Sequence, residues 1–181
     1  EVLAGRRTLV LAGEGACSTL VEARDMIAWA KRCGFPLLAD PLSGLRCVDD
    51  PCVIDAYDAV FGQEGCPLPD AVIRFGRYPV SKRATTRLAA ARPFNIVVDA
   101  GETRDYNAAT DWFVASTPLG FARSFDAPAD SEAPSALQSA FLEEWIAVNE
   151  RTCARLAEVA GAADGLSAGE LFEGDLVRAV L

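Results

Sequence analysis

Short apolar runs alternate along the chain with segments of helical period. Thr8-Leu9-Val10-Leu11-Ala12 is unbroken by polar charge and closes in Gly13-Glu14-Gly15, the pattern of a strand buried on both faces. Ser18 is placed to cap a helix in which Leu20, Ile27 and Trp29, with alanines between them, form a largely buried face. Cys33-Gly34 and Pro36 close that helix. Phe35 to Ala39 reads as a second strand, ending in Asp40-Pro41 and the loop Leu42 to Arg46. A short helix is predicted over Pro51 to Phe61 and a strand over Ala71 to Gly76. A corner follows at Pro79 to Arg83, then a helix to Ala91 and a strand over Phe94 to Asp99. The last strand is Trp112 to Ala115, after the polar loop Gly101 to Asp111.

Asp126 to Pro134 has the Ala, Pro, Asp and Ser content of a surface linker. Beyond it Leu137, Phe141, Trp145, Val148, Thr152, Leu156 and Val159 recur at three- and four-residue steps, the stripe of a long helix. Gly161 to Gly169 is a second flexible stretch, and Glu170 to Leu181 begins another helix that stops where the chain stops. Strands alternating with helices through short connections require right-handed crossovers. The expected fold class is therefore α/β, doubly wound, with a mostly parallel, Rossmann-like sheet and helices on both faces. The expected division is a central α/β domain over 1–160, then a linker and the first helix of a following domain over 161–181.

Composition narrows the function classes. With 181 residues, about half of them apolar, the chain is long enough for one full core. A net charge of −9 argues against nucleic acid as a general partner, which would need a broad basic face. No run approaches the roughly 18 apolar residues of a membrane span. Glu1 to Arg7 lacks the order of a signal peptide, and without an initiator Met the sequence is expected to be a segment of a longer protein. Cysteines stand at 17, 33, 47, 52, 66 and 153 with no C-x-x-C spacing, and histidine is absent. That pattern fits free thiols in a reducing cytoplasm and removes any Ser-His or Cys-His couple.

Two places invite chemistry. Gly13-x-Gly15-x-x-Ser18 after the first strand approaches a dinucleotide fingerprint, with Asp40 as a ribose acceptor, although two glycines also suit any tight turn. This is the reading of a free-standing NAD- or FAD-binding module. The second place is basic: Arg74, Arg77, Lys82, Arg83 and Arg87 lie within fourteen positions of an acidic chain. With Ser81 as N-cap, Lys82 and Arg83 occupy the first helical turn, where the dipole already places positive charge. An anion held by both side chains and the free backbone N–H groups would offset that cost. In an open parallel sheet the same corner lies at the carboxyl ends of the strands, where ligands bind. A solvated helix end, and an interaction or regulatory domain whose corner receives a metabolite or an acidic protein segment, remain open beside it. Asp99, Glu102, Asp105 and Asp111 match no metal loop and read as a solvated loop.

Two stretches carry a resemblance. Phe35 to Arg46 (FPLLADPLSGLR) and Val72 to Lys82 (VIRFGRYPVSK) resemble the central domain of the 2-succinyl-5-enolpyruvyl-6-hydroxy-3-cyclohexene-1-carboxylate synthase family. The resemblance runs from about Gly5 to the end, with Phe172 to Leu181 similar to the opening of the family's cofactor-binding C-terminal domain. It implies a cytoplasmic, thiamine diphosphate- and Mg2+-dependent transferase of menaquinone biosynthesis. Such an enzyme decarboxylates 2-oxoglutarate and adds the resulting carbanion to isochorismate. It further implies that the cofactor and metal are bound by other domains, that the complete enzyme is an oligomer, and that this segment alone is inactive. Both substrates are dianions. The resemblance assigns Lys82 to holding isochorismate, with Arg83, Ser81 and Arg77 as further substrate-binding candidates and Arg46 a weaker one. No catalytic, cofactor-binding or metal-binding residue is expected in this segment.

Overall fold

A computed structural model describes residues 2–101, 105–125 and 134–163. In chain order its elements are β1 (Thr8–Ala12), α1 (Leu20–Cys33), β2 (Leu37–Ala39), β3 (Val53–Ile54), α2 (Tyr57–Phe61) and β4 (Ala71–Phe75). They continue with α3 (Lys82–Ala91), β5 (Phe94–Asp99), β6 (Trp112–Ala115), α4 (Pro118–Ser124) and α5 (Ala136–Ala163). The six strands form one sheet in the order β3-β2-β1-β4-β5-β6, every neighbouring pair parallel. This is the doubly wound, Rossmann-like α/β fold that the alternation of runs implied. The winding reverses between β1 and β4, so the turns that follow these two strands face one another across the switch point.

β1 lacks polar alternation because it is covered twice. Val10 and Ala12 join the core beneath α1 and α4, while Leu9 and Leu11 join the one beneath α2, α3 and α5. Trp29 centres the first core: its ring lies 5.7 Å from Phe35, 5.8 Å from Phe75 and 5.7 Å from Phe125. Phe61, Phe141 and Trp145 stack edge to face in the second. Gln138 of α5 locks the start of β1, accepting from Thr8 N–H at 2.8 Å and donating to the Thr8 and Gly34 carbonyls.

Several sequence expectations shift. Thr19, not Ser18, caps α1, in a capping box with Glu22, whose carboxylate also accepts from Ser18 N–H. Leu20 lies exposed in the first turn, and the buried face is Ala23, Met26, Ile27, Trp29, Ala30 and Cys33. The helix expected over Pro51 to Phe61 is two elements. Asp50 turns the chain by accepting from Cys52 N–H, Val53 and Ile54 extend the sheet beside β2, and only Tyr57 onward is helical. The short helix α4 was not foreseen. In α5 the stripe is buried at Phe141, Trp145, Val148 and Thr152, whereas Leu137, Leu156 and Val159 are exposed, and the helix runs on through Ala163. The expected linker, apart from Pro134, and the expected helix over 170–181 lie outside the described residues. The six cysteines are all free thiols; burial raises those of Cys17, Cys33 and Cys52 to about 12.

A bidentate pair fastens the start of β1 to the start of β4. Asp70 accepts from Arg7 N–H, Nε and Nη2 at 2.9, 3.0 and 3.0 Å. These hydrogen bonds hold the Asp70 carboxyl below its ordinary value. A folded-state value below the unfolded one gives a contribution that is present above about pH 4 and is lost as pH falls through the folded value. Both side chains are about two fifths exposed, so the contribution is about 1 kcal/mol or less. Asp70→Asn should therefore lower stability slightly in urea melts at neutral pH. The gap to the wild type should close on acidification; a gap of constant size down to about pH 2 would contradict this assignment.

Candidate functional site

The basic cluster is set up by the end of β4. Strand alternation sends Val72 and Arg74 to the face under α3, and Ile73 and Phe75 to the opposite core. Gly76 then turns at φ 68°, a conformation that suits glycine, and a Cβ there would strike the Glu14 carbonyl. Gly13 is confined in the same way, because its Cβ would strike the carbonyl of Arg77. Arg77 N–H donates to Glu14 O at 3.1 Å, so the turns after β1 and β4 meet backbone to backbone at the switch point.

Asp40 fixes the next stretch. Its carboxylate is 1% exposed and accepts from Val80 N–H at 2.8 Å, Tyr57 Oη at 3.0 Å and Leu42 N–H at 3.1 Å. Burial and the adjacent carboxylate push the Tyr57 phenol upward, so it stays a donor. The residue read as a ribose acceptor is instead an internal tie between the end of β2, α2 and the corner. The glycines of the apparent fingerprint likewise serve close approach of two turns. These contacts remove the geometry on which a dinucleotide reading rested.

Ser81 is the N-cap of α3: its hydroxyl accepts from Ala84 N–H at 2.9 Å and donates to Asp58 Oδ1 at 2.6 Å. The first turn of α3 contains no acidic residue, and the backbone N–H groups of Lys82 and Arg83 precede the first intrahelical acceptor. The sequence alone did not reveal Asp58, which stands in the first turn of α2 and brings the missing carboxylate from another element.

The five cations thus separate. Arg74 is buried, donates to Gly76 O at 2.9 Å, lies 4.1 Å from the Tyr78 ring centre and has further partners; burial lowers its pKa. Arg77 pairs with Glu14 at 3.2 Å. Arg83 pairs with Asp58 at 3.3 Å. Arg87 donates to the Phe61 and Gln63 carbonyls, closing the end of α2. Lys82 is exposed and, among the described residues, has no ion pair or side-chain hydrogen bond. With Arg83, Thr86, Arg87, Asp58, Phe61 and Gly62 it lines an open depression of about 580 Å3. Arg46, a weaker candidate, donates to the Ala39 and Asp55 carbonyls and braces the loop after β2.

The acidic loop is internally engaged. Asp111 accepts from Asn95 N–H, and Asp99 from Gly101 N–H. Against the upward push of burial, the N–H groups of Ala109 and Thr110 hold the Asp105 carboxyl low. Glu102 lies outside the described residues. Among the described residues no three His, Cys, Asp or Glu side chains gather so as to hold a metal ion. No chemical step is assigned to a metal in the described part of the chain. No described helix is long and apolar enough to cross a membrane.

No protein-family model matches the chain. Curated proteins do. The chain is 37% identical over 187 aligned residues to the 2-succinyl-5-enolpyruvyl-6-hydroxy-3-cyclohexene-1-carboxylate synthase of Bacillus velezensis, an alignment covering 98% of this chain and 30% of that protein. It is 35% identical to the synthase of the same name from Geobacillus thermodenitrificans over 96% of this chain and 29% of the relative. For the Halobacterium salinarum synthase the figures are 36%, 80% and 26%. The chain thus spans about three tenths of the length of these relatives, and the resemblance in the sequence extends along nearly all of it.

Proposed function

We propose that this chain, a relative of one segment of the 2-succinyl-5-enolpyruvyl-6-hydroxy-3-cyclohexene-1-carboxylate synthases, is the central domain of such an enzyme and supplies one wall of its substrate pocket. The complete protein is a transferase of menaquinone biosynthesis that uses 2-oxoglutarate and isochorismate, assembles as a homo-oligomer and works in the cytoplasm. Thiamine diphosphate with Mg2+, held by the flanking domains, supplies the decarboxylating carbanion chemistry. The separate segment does not turn over.

The single observation behind this reading is the state of Lys82. Four of five clustered cations are engaged within the domain, and the fifth, Lys82, is exposed in the first turn of α3. Lys82 binds a carboxylate of isochorismate, and the unpaired N–H groups of Lys82 and Arg83 add to the attraction. The Ser81 hydroxyl gives its one proton to Asp58 and accepts from Ala84 N–H, so toward a ligand it acts as an acceptor only. Arg83 and Arg77 act second, each through a guanidinium shared with an acidic neighbour. A crystal structure of the complete enzyme with isochorismate should place Lys82 Nζ about 2.7–3.2 Å from a carboxylate oxygen. Isochorismate bound with no contact to α3 would overturn the reading.

A further inference from the structure

We propose that Asp58 is a positioning residue that gives the two adjacent cations of the corner different tasks, holding Arg83 against α2 and leaving Lys82 to meet the ligand. The inference rests on the reading of the corner as a carboxylate site. One Asp58 oxygen takes the Ser81 hydroxyl at 2.6 Å and the other takes Arg83 Nη1 at 3.3 Å. The platform beneath is fixed from both ends. Tyr57, adjacent to Asp58, donates to the buried Asp40, which also holds Val80 N–H. At the other end of α2, Arg87 closes the Phe61 and Gln63 carbonyls. The Arg83 side chain lies over Gly62, where an added Cβ would come within 3.3 Å of its Cδ and 3.4 Å of its Nε. Arg83 therefore runs along α2, although Lys82 precedes it directly in the chain.

The consequence is selectivity among anions. Two unpaired cations at a helix N-terminus would bind any small anion, inorganic phosphate included. With Asp58 in place, such an anion meets one ammonium and a guanidinium already sharing its charge. The Arg83–Asp58 pair is more than half exposed on both sides, so the restraint is a bias that a well-placed second carboxylate can overcome.

The test uses the complete enzyme saturated with cofactor, with inorganic phosphate as competitive inhibitor against isochorismate. Asp58→Asn keeps an acceptor for Ser81 but removes the charge, and should strengthen phosphate inhibition by about three- to fivefold. Asp58→Glu should return it toward the wild-type value. Arg83→Gln in the Asp58→Asn background should abolish the gain, because the released cation is then gone. A purely structural role for Asp58 would lower stability and activity without tightening phosphate binding. Unchanged or weaker phosphate inhibition in Asp58→Asn, or a gain that survives loss of Arg83, would overturn the inference. If phosphate sensitivity responds as expected while Lys82→Ala leaves isochorismate use intact, the underlying reading of the corner fails instead.

Discussion

Trp29→Ala should lower the free energy of unfolding by about 3–5 kcal/mol, the range for removing a large aromatic side chain from a packed core. Trp29 is 1% exposed, and Phe35, Phe75, Phe121 and Phe125 all present ring edges or faces to it. Those four rings come from the turn between α1 and β2, from β4, and from the middle and C-cap of α4, so truncation leaves a cavity bordered by several elements that cannot all close on it. The α4 helix is short and should loosen first. Trp29→Phe should be far milder, at about 1–2 kcal/mol. The indole Nε1 has no acceptor among the described residues, so its removal costs no hydrogen bond there and relieves an unpaired buried donor. Urea melts of both variants at one temperature provide the check; equal losses would mean that the ring cluster is not what holds α4 to the sheet.

The fold was legible because a strand buried on both faces announces itself. β1, β4 and β5 are mostly apolar runs, broken by Arg74 in β4 and by Asn95 and Asp99 in β5, with Gly or Pro nearby, and α3 and β6 begin where capping and β-propensity place them. Val53-Ile54 was not legible. Two residues cannot show a period, and only the open edge of β2 makes them a strand. The α4 helix was missed because its cap, Thr117, and Pro118 follow β6 at once, and its seven residues complete barely two turns. Leu20 was misplaced on the core face because periodicity alone does not say how far the first turn of α1 projects beyond the sheet.

The candidate site was half legible. Charge at the wrong end of a helix is visible in Ser81-Lys82-Arg83 without any structure. What the sequence could not express is how the cluster divides. Arg74 is drawn into the sheet by strand alternation, and Arg87 is taken by the carbonyl end of α2. Arg83 is taken by Asp58, 25 positions earlier. Asp40 carried a misleading signal, since a carboxylate after the second strand fits a ribose as well as it fits Tyr57 and Val80 N–H; only burial separates the two. The corner therefore carries less spare charge than its residues suggest, and what remains is concentrated on one side chain.

That concentration sets the second large effect. On the proposed reading, Lys82→Ala in the complete enzyme removes a charge-assisted hydrogen bond to substrate, for which about 2 kcal/mol is a representative loss, equivalent to roughly 30-fold in rate or affinity. A contact already made in the ground state should appear mainly in KM for isochorismate, with kcat little changed. Affinity for thiamine diphosphate should stay put, because the proposed reading gives the cofactor to the flanking domains. Lys82→Arg keeps the charge but not the compact ammonium geometry, and should recover only part of the loss. The decisive measurement is the specificity constant for isochorismate in Lys82→Ala, taken together with cofactor affinity. The expected result is a fall of about 30-fold with cofactor binding unmoved. An unchanged specificity constant would show that Lys82 is a solvated side chain and that this corner is not a wall of the substrate pocket.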